Sequence, residues 1–352
     1  MNKIFLGFTV LFFFSTCAEK KENTLYEIKR FSDEDIPITK HLIGEKIKVK
    51  GMVYPRVILN LQDYLVVGEH RADTMLHVIE KKSMEIINKV GVLGRGPGEI
   101  GISRHLFSTD SANEFWVYQA EVKKVDRFTI PIGHVFSEET IPLRDKLTYT
   151  ANFAFSSDST YMTILVDGNE KFVEFNKNGE IINTYDTWDH MLDGDLPYNV
   201  ISSIHQGMLN VSRDNQYYTL ASIGLDRIEV LNRNTGKVTS IRGPINHIPK
   251  FTVDYSPGYP MPLLDDKTAI YTYLNTVSGK TSFYALFSGV ASIEVNRGAD
   301  KFCNTIMVFD YEGNVEARYI LDTSLCYMAL DEDARKIYGL TFNGDEIVVF
   351  DF

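Results

Sequence analysis

Near its C-terminus the chain reads Cys326-Tyr-Met-Ala-Leu-Asp-Glu-Asp-Ala-Arg-Lys336-Ile-Tyr-Gly-Leu-Thr-Phe-Asn343-Gly-Asp-Glu-Ile347-Val-Val-Phe-Asp-Phe352. Three runs of β-branched, aromatic and other apolar residues alternate here with clusters of Asp, Asn and Gly. Asn343-Gly344 is a strong signal for a two-residue hairpin turn. The segment therefore predicts three short antiparallel strands.

The third of these runs, which ends in Val-Phe-Asp, has counterparts along the chain. The clearest are 306–313, 172–179 and 228–236, and weaker ones begin at His77 and Val122. Most of the six runs are spaced by roughly 40 to 50 residues, and a period of that length with four strands per unit is the signature of propeller blades. Helical periodicity is nearly absent. We therefore predict an all-β fold, a six-bladed β-propeller with an insertion in one blade.

The sixth repeat supplies only three strands before Phe352. A bare strand edge promotes aggregation, so we expect an N-terminal strand to pair with 347–352 and close the ring. The segments 36–43 and 46–50 are the two candidates. The predicted propeller covers residues 36–352, with blades at 52–91, 101–130, 148–185, 203–242, 258–321 and 325–352.

The first residues have the pattern of an export signal. Lys3 precedes a short apolar run that includes Phe12 to Phe14, and Ser15-Thr16-Cys17 follows. The run is shorter than the roughly 20 residues that span a bilayer, so 1–16 is predicted to be a signal peptide. Cys17 is placed as in a bacterial lipobox and is the predicted lipidation site, with ordinary cleavage as the alternative. The polar residues that follow predict a flexible tether over 17–35.

These features together resemble the TolB-like six-bladed propeller lipoproteins of Gram-negative envelopes. The resemblance rests on the lipobox at Cys17, the repeated Val-Phe-Asp hairpins and the segment Leu93-Gly94-Arg95-Gly96-Pro97-Gly98-Glu99-Ile100. It implies the propeller architecture, export and a binding role, and it implies no catalytic residue. We expect an exported protein that is lipid-anchored in the cell envelope, on the periplasmic side or the outer surface of the outer membrane.

The charge balance narrows the class of partner. The chain has 36 Lys and Arg against 47 Asp and Glu, a formal net charge of −11. Nucleic acid is not an expected partner, because phosphate neutralisation needs a basic surface. Membrane attachment is expected only through the lipid on Cys17. The expected partner is an envelope protein, a peptide or a glycan.

Linear motifs for catalysis are missing from the sequence. Gly94 to Glu99 lacks the Lys-Ser/Thr of a phosphate-binding loop and is read as a tight turn. No Gly-x-Ser-x-Gly elbow occurs, and the eight histidines are too scattered for a zinc motif. The acidic segment Asp186 to Asp195 is a calcium candidate without EF-hand spacing. We expect no cofactor, and catalytic residues stay unassigned.

The leading functional prediction is therefore a non-catalytic protein that binds its ligand on one face of the ring. The alternative is a metal-dependent hydrolase or lyase with ligands from several blades in the axial channel. Ligand contacts are expected where each outer strand crosses to the next inner strand, since these crossings surround one mouth of the channel. The candidate residues are Tyr54, Arg56, Arg95, Glu99, Arg104, His105, Tyr149, Asn152, His205 and Tyr259.

Two further expectations concern aromatic residues and cysteines. The Pro-rich stretch 251–262 carries Tyr and Phe side chains that either form an exposed binding rim or fold back and bury themselves. Cys303 precedes one strand, and Cys326 begins the innermost strand of the next blade, so we expect the two thiols to remain unpaired.

Overall fold

The computed structural model describes residues 25–70, 72–101, 105–109, 113–131, 133–157, 159–192, 194–298, 302–342 and 344–352. The predicted signal peptide 1–16, the predicted lipidation site Cys17 and the candidate Arg104 lie outside these residues. No helix in the described part of the chain is long and apolar enough to cross a bilayer.

The described residues form six blades around a common axis, as predicted. Strands of blades one to three are β4(Pro55–Asn60), β5(Tyr64–Glu69), β6(Thr74–Glu80), β7(Glu85–Val92); β8(His105–Phe107), β9(Glu114–Gln119), β10(Lys124–Thr129), β11(Glu139–Pro142); and β12(Thr150–Ser157), β13(Thr160–Leu165), β14(Glu170–Asn176), β15(Ile181–Thr187). Strands of blades four to six are β16(Gly207–Val211), β17(Tyr217–Ser222), β18(Arg227–Asn232), β19(Val238–Arg242); β22(Ile270–Ser278), β23(Ser282–Ala291), β24(Thr305–Asp310), β25(Val315–Leu321); and β26(Tyr327–Asp331), β27(Lys336–Leu340), β28(Glu346–Asp351).

Each blade is an antiparallel meander whose first strand is the innermost one. The first and third strands therefore start at one face of the ring, where the chain arrives from the preceding blade. We call this face the crossing face. The opposite face, which carries the hairpins between the first and second strands, is the hairpin face.

An N-terminal belt covers the outer edges of three blades. β1(Tyr26–Arg30) pairs in parallel with β19, and β2(Thr39–Leu42) pairs in parallel with β25. β3(Glu45–Lys48) pairs antiparallel with β28, which confirms that an N-terminal strand closes the last blade. The predicted tether, 17–35, extended too far along the chain. Backbone pairing with β19 places residues 26–30 in the folded domain despite their polar composition.

The insertion lies before blade five and does not join its sheet. It forms a separate hairpin of β20(Phe251–Asp254) and β21(Met261–Leu264), beside the crossover that contains α1(Tyr198–Ile204). Phe251 and Val253 pack onto a small core around Val200, whereas Tyr255 and Tyr259 are exposed. Part of the aromatic stretch therefore folds back and part forms a rim. The other helical segments are α2(Ser292–Asn296) and 3-10 turns at Asp33–Asp35 and Asp145–Tyr149.

The core consists of apolar layers between neighbouring blades. Between blades two and three it is mostly aromatic, with Trp116 and Phe155 ring centroids 4.8 Å apart and Phe107 and Phe155 5.4 Å apart. Flat side chains suit this packing because adjacent sheets meet face to face. Cys303 and Cys326 are free thiols, as predicted.

Candidate ligand-binding site

The axial channel contains a cavity of about 700 Å³ that reaches the hairpin face. All six innermost strands contribute to its wall, mostly with their C-terminal halves. The polar side chains in the wall are Asn60, Gln62, Lys81, His105, Ser108, Thr109, Ser157, Asn210, Ser212, Arg213, Asn215, Asn275, Thr276, Ser278, Asp331 and Asp333. Amides and hydroxyls thus dominate, and two cationic side chains are balanced by two carboxylates.

Asparagine side chains join neighbouring blades around this cavity. Asn60 Nδ2 of blade one donates to the Leu330 carbonyl of blade six at 3.0 Å, and Asn210 Nδ2 of blade four donates to the Thr276 carbonyl of blade five at 3.0 Å. Asn275 Oδ1 accepts from the Met328 N–H at 3.0 Å. These amides satisfy inner-strand backbone groups that have no sheet partner on the axial side. They also hold the wall of the cavity in a fixed shape.

The charged side chains of the wall are paired. Lys81 Nζ lies 2.6 Å from Asp331 Oδ2 and 3.0 Å from Asn60 Oδ1. Arg213 lies 3.9 Å from Asp333 at the exposed rim. Because opposite charges lie close together, the cavity has little net field to attract ions of either sign.

His105 is the candidate residue that lines this cavity. It begins β8, is partly exposed, and its ring centroid lies 5.9 Å from that of Phe107. Burial lowers the pKa of His105 to about 4, so the imidazole is neutral at neutral pH. Its Nδ1 is buried and has no hydrogen-bond partner among the residues that the structure describes.

The other candidates lie at the crossing face or beneath it. The Arg56 guanidinium stacks on Tyr54, 3.5 Å from the ring centroid, and donates to the Pro55 and Phe342 carbonyls. This arrangement fixes the start of β4 against blade six. Arg56 is therefore committed to bonds within the protein.

The glycine-rich segment is a tight turn, pinned from below by blade two. Glu99 Oε2 accepts from the Gly96 N–H at 2.8 Å, while Lys124 Nζ donates to the Gly96 and Glu99 carbonyls at 3.0 and 2.7 Å. Lys124 is buried and Arg95 projects into solvent. The observed contacts agree with the interpretation of this segment as a turn.

Asn152 and His205 are buried structural residues. Asn152 Nδ2 donates to the Gly207 carbonyl at 2.9 Å, and its Oδ1 accepts from the Leu209 N–H at 3.3 Å, which joins blades three and four. His205 Nδ1 lies 3.3 Å from Arg227 Nη1. Burial lowers the pKa of His205 to about 3, with a contribution from Arg227.

Tyr149 and Tyr259 are exposed on separate crossings. The structure therefore does not bring the described candidates into one site, and as ligand contacts they stay a prediction. Sequence reasoning missed the amide-rich wall. Short strands that end in Asn or Ser, as at Asn60 and Asn210, were the available signal.

A buried ionic cluster lies between blades three and four. Lys171 Nζ pairs with Asp186 and lies 2.5 Å from Glu229 Oε2, and all three side chains are almost completely buried. Burial by itself would lower the pKa of Lys171, but the two carboxylates raise it above its ordinary value. Burial likewise opposes ionisation of Glu229, yet Lys171 and Arg227 lower its pKa to about 2.

This cluster includes one residue of the acidic segment Asp186 to Asp195, which the sequence offered as a calcium site. Asp186, the first residue of the acidic segment, is already neutralised by Lys171. Across the described ranges, no group of three His, Cys, Asp or Glu side chains is arranged to hold a metal ion.

Fold and cavity together define the class: a six-bladed β-propeller with a polar axial cavity. The sequence profile of the family described as "TolB-like 6-blade propeller-like" matches residues 31–333, and the chain belongs to that family. No curated protein matches the sequence.

Solved structures with the same architecture include two from Bacteroides. A protein from Bacteroides fragilis described as exported is 11% identical, with a TM-score of 0.55 over 92% of this chain and 99% of that chain. A member of the DUF4221 family from Bacteroides vulgatus is 10% identical, with a TM-score of 0.55 over 88% and 97% of the two chains. At such low identity the likeness shows the fold alone.

Proposed function

We propose that this protein is a non-catalytic binding protein that holds a neutral, hydrogen-bonding ligand, a glycan or a peptide, in its axial cavity. The observation that carries the proposal is the set of amides and hydroxyls that blades one to five place in the wall, with two carboxylates from blade six. Small-molecule sites usually measure roughly 300 to 1,000 Å³, and the cavity falls within that range. A larger envelope protein would present such a ligand as a loop or an attached saccharide.

Neutrality of the ligand follows from the charge pairs in the wall. Lys81 is held by Asp331, and Arg213 is balanced by Asp333. A strongly charged ligand that approached Lys81 or Asp331 would have to break that pair and leave a charge without its partner, which is unfavourable in a partly buried site. A ligand with many hydroxyl or amide groups meets no such penalty.

The test is a binding screen with defined probes against the soluble propeller, residues 25–352. We expect micromolar to millimolar binding, measured by calorimetry and by a rise in thermal midpoint, for members of a panel of neutral trisaccharides and uncharged tripeptides. A hyaluronan tetrasaccharide serves as the acidic control and should bind more weakly. Absence of binding by every neutral probe would refute the proposal.

A chelator arm of the same screen addresses catalysis. A metal bound only by the native state raises its apparent stability. We expect EDTA to leave the thermal midpoint unchanged. A lowered midpoint that is restored by one divalent cation would favour the metal-dependent enzyme instead.

Export and lipid anchoring belong to the same proposal. They are supported by the signal-like residues 1–16, by Cys17 directly after Ser15-Thr16, and by the exported description of the similar Bacteroides fragilis protein. Replacing Cys17→Ser in the full chain should move the protein from the membrane fraction to the soluble fraction of the envelope. Unchanged membrane association of the variant would contradict a lipid on Cys17.

A further inference from the structure

One part of the cavity wall is aromatic rather than amide-rich. Phe107 of blade two and Phe155 of blade three line the cavity with their ring centroids 5.4 Å apart, and His105 continues the row 5.9 Å from Phe107. We call His105, Phe107 and Phe155 the aromatic wall. Blades five and six lie across the axis from blades two and three in a ring of six. They contribute the polar residues Asn275, Thr276 and Asp331 alongside apolar ones such as Met328 and Leu330.

The aromatic wall has rigid support from behind. The Trp116 ring packs against Phe155 at 4.8 Å, and Trp116 Nε1 donates to Glu114 Oε1 at 2.9 Å. Phe153 lies 5.5 Å from Phe107. Rings that are buried on three sides cannot turn away, so the edges that reach the cavity present a fixed apolar surface.

The polar groups opposite already have protein partners that fix their positions. Asn275 Oδ1 holds the Met328 N–H, and Asp331 holds Lys81. Carboxylate and carbonyl oxygens have more than one lone pair, so these groups can still accept a bond from a ligand. The cavity therefore has aromatic rings on one side and fixed acceptors, set among apolar side chains, on the other.

We propose that the ligand of the cavity is a carbohydrate, with the C–H face of a pyranose ring against the aromatic wall and its hydroxyl edge toward blades five and six. This inference rests on the proposed function and selects the glycan over the peptide. A pyranose has one apolar face and a rim of hydroxyl groups, which matches this division of the wall. An extended peptide exposes backbone donors and acceptors on both sides and leaves some unpaired against aromatic rings.

His105 is the specificity-determining residue of this wall. Its imidazole is neutral because burial lowers its pKa to about 4, so it can exchange a hydrogen bond with a sugar hydroxyl in either tautomer without attracting acids. Its Nδ1 has no protein partner among the described residues. Because the His105 ring lines the cavity beside Phe107, replacing His105 should weaken ligand binding and leave the fold unchanged.

The experiment uses residues 25–352 with maltotriose, cellotriose, chitotriose and trialanine as probes. At least one trisaccharide should bind with an affinity at least tenfold higher than trialanine. His105→Leu should weaken that affinity about tenfold, and Phe155→Leu by about the same factor. His105→Asn, which restores a neutral hydrogen-bonding side chain at this place in the wall, should recover part of the loss.

Two readouts separate binding from a structural effect. The urea midpoint of His105→Leu should equal that of the wild type, even if Phe155→Leu is less stable. The protein has only two tryptophans, and Trp116 lies directly behind the wall, so saccharide binding should change the intrinsic fluorescence. Trp116→Phe should abolish that change and keep the affinity.

The outcomes are distinguishable. If a trisaccharide binds but the wall variants bind equally well, the pose on the aromatic wall is wrong and the proposed function stands. If trialanine binds better than every trisaccharide, the carbohydrate inference is overturned and a peptide-binding function remains. If no probe binds, the proposed function fails, and this inference fails with it.

Discussion

The two ends of the axial channel differ in how their polar side chains are used. At the crossing face, long connections such as 243–269 join one blade to the next, and buried side chains hold them in place. At the hairpin face, connections such as 61–63 are short and need little support. Buried carboxylates at the crossing face bind the backbone of these connections, whereas Thr276 in the cavity wall carries a hydroxyl without a partner among the described residues.

Particular contacts show why this difference arises. Glu69 accepts from the Val53 and Tyr54 N–H groups, at 3.0 and 2.5 Å, and Asp226 accepts from the Ile245 N–H at 2.9 Å. A crossing segment leaves the sheet, so its backbone groups lose their ladder partners and must be satisfied by side chains. A position next to a crossing is thus a good place for a structural carboxylate and a poor indicator of a ligand site.

The largest expected effect on stability comes from replacing Lys171 in the ionic cluster beneath the crossing face. Lys171→Met should lower the free energy of unfolding by about 3 to 5 kcal/mol, because it leaves Asp186 and Glu229 buried without their cation. Urea denaturation at pH 7 measures the change. The matched control is Lys280→Met, which removes an exposed pair with Asp333 and should change nothing measurable. If Lys171→Met lowered the free energy of unfolding by less than the expected amount, water or a rearrangement would be stabilising the charges of Asp186 and Glu229 in place of Lys171.

Acid should act on both ends of the channel through histidines whose pKa is lowered in the folded protein. The folded-state pKa values of His205 and His105 are lowered to about 3 and about 4, from an ordinary value of 6.5. The unfolded chain therefore takes up protons that the folded chain cannot, and stability is lost as the pH falls below about 6.5. Between pH 7 and 5 each histidine should remove about 2 kcal/mol of the free energy of unfolding.

Single variants separate the two contributions to this acid sensitivity. His205→Gln and His105→Asn should each reduce the stability lost between pH 7 and 5 by about 2 kcal/mol, as measured by urea denaturation at both pH values. His77, which is also buried and has its pKa lowered to about 4, adds a contribution of the same sign. An unchanged pH dependence in both variants would mean that these imidazoles are protonated in the folded state.

The smallest expected effect concerns ligand binding at the crossing face. Tyr149 and Tyr259 are exposed there, and the double variant Tyr149→Ser, Tyr259→Ser should change affinity for the best neutral probe less than twofold. The comparison is with His105→Leu at the other end, which should weaken a saccharide about tenfold. If the tyrosine variant lost affinity tenfold and His105→Leu lost none, the ligand site would lie at the crossing face.

The sequence by itself determined the all-β class, the number of blades and the closure of the ring. These depend on local patterns: Val-Phe-Asp strands, hairpin turns such as Asn343-Gly344, and a last repeat that lacks one strand. Alternation along a strand reports which side is buried, and a regular interval between repeats reports the number of units. The belt strand β1 escaped prediction, because its polar residues pair through the backbone and carry no apolar pattern.

Only the tertiary structure decided which polar residues are free. Lys171 and Glu229 are 58 positions apart, and Lys81 lies 250 positions from Asp331, so no local pattern connects either pair. His205 and His105 look equivalent as sequence features, yet one lies against Arg227 under a crossover and the other lines the cavity. The reason is physical: whether a polar group serves the fold or a ligand depends on what the neighbouring blade places within hydrogen-bond distance, and the spacing along one strand does not contain that information.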